Sequence, residues 1–476
     1  MSTAQRQADA IQSLCETSCG ARLLVHAYYV SPRVVHQQNH STELWMRLHT
    51  LGIDDLRDTA MAEIFKDARK KEYLNAEGVD KPLKSPIPID TLKRARGFRK
   101  QRLVQKVIEH NCAAILLYDP LNIRYATDVS NMQLWMTHNP SHYALVCADG
   151  HAIAFEYGKS EHLAQGFETV NEVRTAKSWF YFSSGNRLQE RVEAWADEVV
   201  DIVRQRGGGN MRLAVDKLEP LGVDALRKRG ITLVEGQELT EHARKIKSAD
   251  ELELMRWTIR VCEAGMARMY EHSIAGKTEN EIWAELHFEN IRSGGEWIET
   301  RLLACGPRTN PWFQESSDYV CKQGEMLSFD TDLIGPYGYC ADLSRSWTIG
   351  HTKMSAKQRE LYKAAVEQIN HNVSILKAQM TSAEFNEKSW RIPEKYQARR
   401  YSAAMHGVGL CDEWPSVPTH VDFARAFEAR FEENMCLCVE SLIGEERGTE
   451  CIKLETQVVL TKTGCIRLDT FPWEEV

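Results

Sequence analysis

An α+β protein in two parts, a smaller α/β unit followed by a larger C-terminal unit of helices and antiparallel strands, is what this sequence predicts. Three observations lead there. Short apolar strand-like runs alternate with helix-like stretches between about residues 96 and 244, the pattern of a mixed sheet flanked by helices. A capping-box signature, Ser248 followed three residues later by Glu251, opens a long amphipathic helix and marks a boundary near residue 245. Beyond it, five strand-like runs with turn chemistry between them share the chain with two more helices, which indicates an α+β unit over 245–476.

The chain has 476 residues, enough for two or three domains that each bury a core. The N-terminus, Met1 to Leu14, lacks the basic-then-apolar order of a signal peptide, and no apolar run approaches the ~18 residues of a membrane span. A cytoplasmic protein without a membrane partner is expected. Thirteen cysteines, an odd number, are scattered, and Cys147, Cys436 and Cys438 sit inside apolar runs. Buried reduced thiols fit that better than a disulfide framework. Cys15 and Cys19 lack a second pair with zinc-ligand spacing. A net charge of -8 argues against nucleic-acid binding, and the basic cluster Lys93 to Lys106 reads as a solvated helix face.

Residues 1–95 read as a helix-leaning polar extension ending in an extended connector, because three prolines crowd Lys81-Pro-Leu-Lys-Ser-Pro-Ile-Pro-Ile. A helix is expected from Arg96 to His110, a strand over Ala113–Tyr118, and a turn at Asp119-Pro-Leu-Asn. Asp149-Gly150 predicts a hairpin between strands Tyr143–Ala148 and Ala152–Glu156. Helix Arg187–Arg204 and strand Arg212–Asp216 complete the unit. In the C-terminal part, helices are expected from Ser248, over Glu279–Ser293 and over Ala356–Met380. The expected strands are Leu302–Ala304, Met326–Asp332, Ser344–Ile349, Cys436–Glu440 and Glu455–Leu460.

The chemistry concentrates in Leu327-Ser-Phe-Asp330-Thr-Asp332-Leu-Ile-Gly-Pro-Tyr-Gly-Tyr-Cys-Ala-Asp342. Alternation along a strand puts Asp330 and Asp332 on one face, and the Gly/Pro turn can return Asp342 towards them. Carboxylates that close need cations or protons between them, which points to a metal site. His406, Glu440 and Glu455 lie further on, the two glutamates within apolar strand runs where a lone carboxylate is costly. Oxygen donors with one imidazole suit two divalent first-row ions, iron first, with manganese or zinc as alternatives.

Order and spacing resemble the pita-bread superfamily, which includes methionine aminopeptidase, prolidase, aminopeptidase P and creatinase. The resemblance rests on Lys247-Ser-Ala-Asp-Glu-Leu, Gly276-Lys-Thr-Glu-Asn-Glu, Gly338-Tyr-Cys-Ala-Asp-Leu-Ser-Arg, His406-Gly-Val-Gly-Leu and the late glutamates. It implies a pita-bread catalytic domain over 245–476 behind a creatinase-like α/β domain over 96–244, with ligands Asp332, Asp342, His406, Glu440 and Glu455. The turn from Asp332 to Asp342 is one residue shorter than the superfamily's, so Asp330 is expected to share or replace the first ligand.

Two histidines of the peptidases are missing. Trp312 and Phe313 stand where the first belongs, and Asp412, followed by Trp414, stands near the second. Tyr401 to Pro415 is similar to the DddP-type dimethylsulfoniopropionate lyases, a branch that cleaves this small zwitterionic sulfonium compound to dimethyl sulfide and acrylate. That similarity implies Asp412 as base and Tyr401 as a catalytic residue. Trp312, Phe313, Trp414 and Trp135 are inferred to line a sulfonium pocket through cation-π attraction. The resemblance also implies a homodimer, with the Tyr125–His142 stretch as the loop reaching to a second subunit. The alternative is a metal-dependent hydrolase of the same fold, an Xaa-Pro dipeptidase or a creatinase-like C-N hydrolase.

Overall fold

Among the described residues four sheets carry the architecture, and the site draws on the three C-terminal ones. The computed structural model describes residues 81–474; the expected N-terminal extension up to residue 80, with Cys15 and Cys19, lies outside the described residues.

The first sheet has six strands in the order β4-β3-β2-β1-β5-β6. They are β1 (Ala114–Leu117), β2 (Tyr143–Cys147), β3 (Ala152–Glu156), β4 (Glu172–Thr175), β5 (Arg212–Val215) and β6 (Thr232–Glu235). Alternate residues of β1 serve two cores. Ala114 and Leu116 pack towards helix α3 (Leu188–Arg206), while Ile115 and Leu117 pack with helix α1 (Ile89–Glu109). A strand buried on both faces needs no polar alternation, which is why this one reads as continuously apolar. The hairpin of β2 and β3 forms as Asp149-Gly150 predicts. The turn expected at Asp119 becomes a helix start: its carboxylate accepts the Leu121 N–H at 2.9 Å and caps helix α2 (Pro120–Thr127).

Two expectations need correcting here. Helix α1 begins at Ile89, directly after the last proline of the connector, instead of at Arg96. Its basic cluster is not all solvated: Arg99 is fully buried and pairs with Asp128 at 2.6 Å, as Arg96 does. The Tyr125–His142 stretch is partly helical (Pro120–Thr127, Gln133–His138), with Tyr125 buried and its hydroxyl donating to the Ala243 carbonyl.

Helix α4 (Ala249–His272) opens on the capping box that the sequence marks, with the Ser248 hydroxyl accepting the Glu251 N–H at 3.1 Å and the Glu251 carboxylate accepting the Ser248 N–H at 2.8 Å. Replacing Ser248 by Ala is expected to cost about 1 kcal/mol of stability, read as a lower denaturation midpoint; an unchanged midpoint would contradict the role given to this cap. Helix α5 (Glu279–Arg292) packs on α4.

The C-terminal strands form three sheets: β12-β9-β8, β11-β10-β7, and the five-stranded β14-β13-β15-β16-β17. Their ranges are β7 Trp297–Ile298, β8 Leu303–Cys305, β9 Met326–Asp330, β10 Leu333–Ile334, β11 Cys340–Ala341, β12 Ser344–Thr348, β13 Ala403–Val408, β14 Asp412–Pro418, β15 Cys436–Gly444, β16 Cys451–Leu460 and β17 Cys465–Arg467. One face of β15 and β16, including Leu437, Val439, Ile443, Leu454 and Val458, packs on helix α6 (Ala356–Ile375) through Leu361, Tyr362 and Ile369. Helix α6 ends at Ile375 and not Met380, because the chain extends at Leu376 so that Ala378 and Gln379 bond to Thr461 and Phe431. The cysteines among the described residues are free and mostly buried.

Candidate metal centre

The opposite face of β15 and β16 is polar, although it is equally buried. Glu440 and Glu455 are register partners directly across from one another, both at most 1% exposed. Two carboxylates so placed repel. Period two along β16 adds Lys453 to this face beside Glu455, and along β15 it adds Cys438 beside Glu440.

The aspartates arrive from the neighbouring sheets. Met326–Asp332 is not one strand: β9 stops at Asp330, and Asp332 lies past its end with φ +37°. The chain there passes from the sheet of β9 to that of β10, so Asp330 and Asp332 converge by a change of sheet and not by sharing a strand face. The Thr331 hydroxyl donates to the Ala341 carbonyl at 2.8 Å and accepts the Leu343 N–H at 2.9 Å, which holds Asp342 between them in sequence against this bend.

Three groups of donors result, each with ligand atoms within 4.8 Å of one another: Asp330, Asp332 and Asp342; Asp342, His406, Cys438 and Glu455; and Asp330, Glu440 and Glu455. The Nε2 atom of His406 lies 3.3 Å from Glu440 Oε1, 3.5 Å from Asp342 Oδ2 and 3.8 Å from Glu455 Oε1. Its Nδ1 lies on the other side, 3.1 Å from the Gly407 carbonyl and 3.5 Å from Asp412 Oδ1. Asp412 is more than half exposed and stands outside the three donor groups.

The glycines of His406-Gly-Val-Gly are sterically required. A Cβ on Gly407 would lie 2.5 Å from the Trp414 carbonyl, and one on Gly409 would lie 2.3 Å from the Glu413 carboxylate. Glu413 is buried and paired with Lys247 at 2.5 Å and Arg244 at 3.2 Å, which fixes the turn that carries Asp412.

Electrostatics show what the donor set suits. Burial, then Asp330, raises Asp332 to about 8. Burial with neighbouring acids also pushes Asp342 and Glu455 well above the carboxylate range. Burial works against charge on His406 too, yet Asp412 and Glu440 raise it well above its ordinary value. Asp342 Oδ1 and Glu455 Oε1 are buried without a hydrogen-bond partner. Orphaned oxygens beside an imidazole, among acids that stay ionised only at a cost, fit divalent cations. Asp330 differs: against its burial, Lys453 at 2.9 Å holds it below the usual range, and its second oxygen takes the Ser344 hydroxyl at 2.6 Å.

A pH dependence follows. Asp332, Asp342, Glu455 and His406 bind protons more tightly folded than unfolded, so without metal their stabilising share is present at low pH and is lost as pH rises through their folded values. Metal-stripped protein is therefore expected to melt at progressively lower temperature from about pH 5 to pH 9, and a divalent ion should remove that decline. A chelated protein that melts no lower at the alkaline end would contradict this.

The residues predicted for a substrate pocket are placed unevenly. Tyr401 stacks on Phe313 with centroids 5.4 Å apart, and Lys453 Nζ lies 4.6 Å from its ring. Phe313 is 58% exposed and presents its outer face, whereas Trp312 is buried against Leu442 and Cys451. The Trp414 ring already has a cation, Lys245 at 4.9 Å, and packs with His242 and Phe427. Trp135 sits on the short helix Gln133–His138 beside Tyr157 and Phe180. A surface cavity of about 470 Å³, lined by Phe313, Ser402, Ser416, Arg425 and Phe427 among others, opens where Phe313 meets β14. Lys453 and Ser344, unmarked by any acid-and-histidine pattern, belong to the site; the strand period of Lys453-Leu-Glu455 is the signal that could have found Lys453.

This fold and donor set define a pita-bread metalloenzyme: the family model described as Metallopeptidase family M24 matches residues 253–462. An Xaa-Pro dipeptidase from Bacillus anthracis (TM-score 0.65, 20% identity, 79% of this chain and 98% of that one) and a prolidase from Pyrococcus furiosus (0.61, 20%, 78% and 100%) share the fold. Two proteins named dimethylsulfoniopropionate lyase DddP are far more similar in sequence. The one from Roseovarius nubinhibens is 45% identical over 82% of this chain and 88% of its own length, and the one from Roseobacter denitrificans is 44% identical with the same coverage. The chain belongs to the DddP family.

Proposed function

We propose that this protein is a metal-dependent lyase that cleaves dimethylsulfoniopropionate to dimethyl sulfide and acrylate. The observation that carries the reading is the 45% identity to a DddP lyase across most of both chains. The free carboxylate of Asp412 next to the donor set agrees with it. Asp332, Asp342, His406, Glu440 and Glu455 would hold two divalent ions, with Asp332 better placed than Asp330 as first ligand, since both oxygens of Asp330 are engaged by Lys453 and Ser344. When bound, the ions supply Lewis acidity that holds the substrate carboxylate and stabilises negative charge as a proton leaves the adjacent carbon.

The chain's own residues do the rest. Asp412 takes the proton from that carbon. The electron pair of the C–H bond becomes the double bond of acrylate, the C–S bond breaks, and dimethyl sulfide departs uncharged. Because Asp412 is exposed, solvent can take the proton away. His406 connects the two halves of the site, with Nε2 towards the metal ligands and Nδ1 towards the base. The sulfonium group would rest on the open face of Phe313, worth ~0.5–2 kcal/mol, with the Tyr401 hydroxyl beside it. Trp312, Trp414 and Trp135 are left with supporting roles, in keeping with the contacts their rings already make.

Further parts of the proposal rest on separate grounds: a homodimer on the family resemblance; iron as the metal, with manganese or zinc as alternatives, on the oxygen and imidazole donors; a cytoplasmic location on the sequence reading; and a division at residues 95 and 244 into extension, α/β domain and catalytic domain on the pattern of elements and the Ser248 capping box. Among the described residues no helix is long and apolar enough to cross a membrane.

Purified protein given dimethylsulfoniopropionate should release dimethyl sulfide into the headspace and acrylate into solution in equal amounts. Absence of the gas, together with proline release from an Xaa-Pro dipeptide, would move the assignment to a hydrolase of the same fold.

A further inference from the structure

Lys453 is a fully buried cation in the middle of the acid cluster. Its ammonium lies 2.6 Å from Glu440 Oε2, 2.9 Å from Asp330 Oδ2, 3.3 Å from Glu455 Oε2 and 2.7 Å from the Ser344 hydroxyl. The division of oxygens is consistent: for both glutamates Oε2 faces Lys453, while Oε1 faces His406. One of those inner atoms, Glu455 Oε1, has no hydrogen-bond partner. Lys453 thus grips the glutamates from behind and leaves their inner oxygens for something else.

Charge points the same way. Five carboxylates, Asp330, Asp332, Asp342, Glu440 and Glu455, make up the three donor groups apart from His406 and Cys438. Two divalent ions neutralise four of them. A lysine touching three of the acids supplies the remaining charge, so that a centre loaded with divalent ions is neutral and can accept an anionic substrate group without first opposing it.

We propose that Lys453 is a positioning residue of the metal centre: it turns the inner oxygens of Glu440 and Glu455 towards the metal ions and supplies the fifth positive charge that balances the five acids. The inference rests on the metal-centre reading and not on the identity of the substrate.

Lys453→Met, which keeps the length of the side chain and removes its charge, provides the test. The metal-free variant should melt about 5 °C or more below metal-free wild type, with a larger gain on adding a divalent ion, since the acids then lack the cation that touches three of them. Loaded with cobalt(II), it should show an altered visible absorption spectrum, because Glu440 and Glu455 are no longer held in place. Its affinity for propionate, a plain carboxylate, should fall by about tenfold as the centre becomes one charge more negative. Lys453→Arg should keep propionate affinity near wild type. A Met variant with the wild-type cobalt spectrum and wild-type propionate affinity would overturn the proposal. If the Met variant does not fold, Ser344→Ala, which loosens Lys453, must shift the same spectrum, and an unshifted spectrum overturns it equally. Wild-type protein that takes up no cobalt would instead remove the metal-centre reading itself.

Discussion

Asp412→Ala is expected to lower kcat by about 100- to 10,000-fold, the usual worth of a general base, while metal content stays at the wild-type level. The separation of the two effects is the informative part. Asp412 stands outside every donor group, and its nearest charged neighbour there is the Nδ1 of His406 at 3.5 Å. A carboxylate in that position can be the base, or it can orient the histidine for the metal. Loss of an orienting partner typically costs 10- to 100-fold in metal affinity, so metal analysis on the same sample distinguishes the roles. Metal lost along with activity would withdraw the base assignment. The wild-type pH profile adds an independent reading. Partial desolvation by the surrounding site, opposed by His406, raises the Asp412 carboxyl above its ordinary range although the side chain is more than half exposed. Since the ionised form is the base, kcat/KM should fall as pH decreases through that raised value. Asp412→Ala should lack this acid limb.

Asp342→Ala or His406→Ala should strip the metal and abolish turnover together. Asp342 belongs to two of the three donor groups, and its Oδ1 is buried with no other partner. His406 Nε2 faces Asp342, Glu440 and Glu455 within 3.8 Å. Removing either leaves acids that repel each other and too few donors to hold ions against water. Restoring the ion at millimolar concentration should recover little activity. A full complement of metal in either variant would contradict this set of ligands.

The sequence alone determined many of the regular elements and the donor types of the candidate centre, although β13 and β14, which carry His406 and Asp412, were not among its expected strands. The Ser248 capping box, the Asp149-Gly150 hairpin and the buried strands are local events, governed by one turn of backbone or one alternation of side chains, and local chemistry is written in consecutive residues. Donor types were equally legible, because a carboxylate inside an apolar strand is costly wherever it occurs. Tertiary structure decided the rest. It broke Met326–Asp332 at Asp330, made register partners of Glu440 and Glu455, buried Arg99 against Asp128, and gave the Trp414 ring to Lys245. It also set Lys453 among the acids. Each of these depends on which strands become neighbours, and pairing between residues far apart in the chain is fixed by packing and charge summed over the whole fold, which no short window of sequence contains.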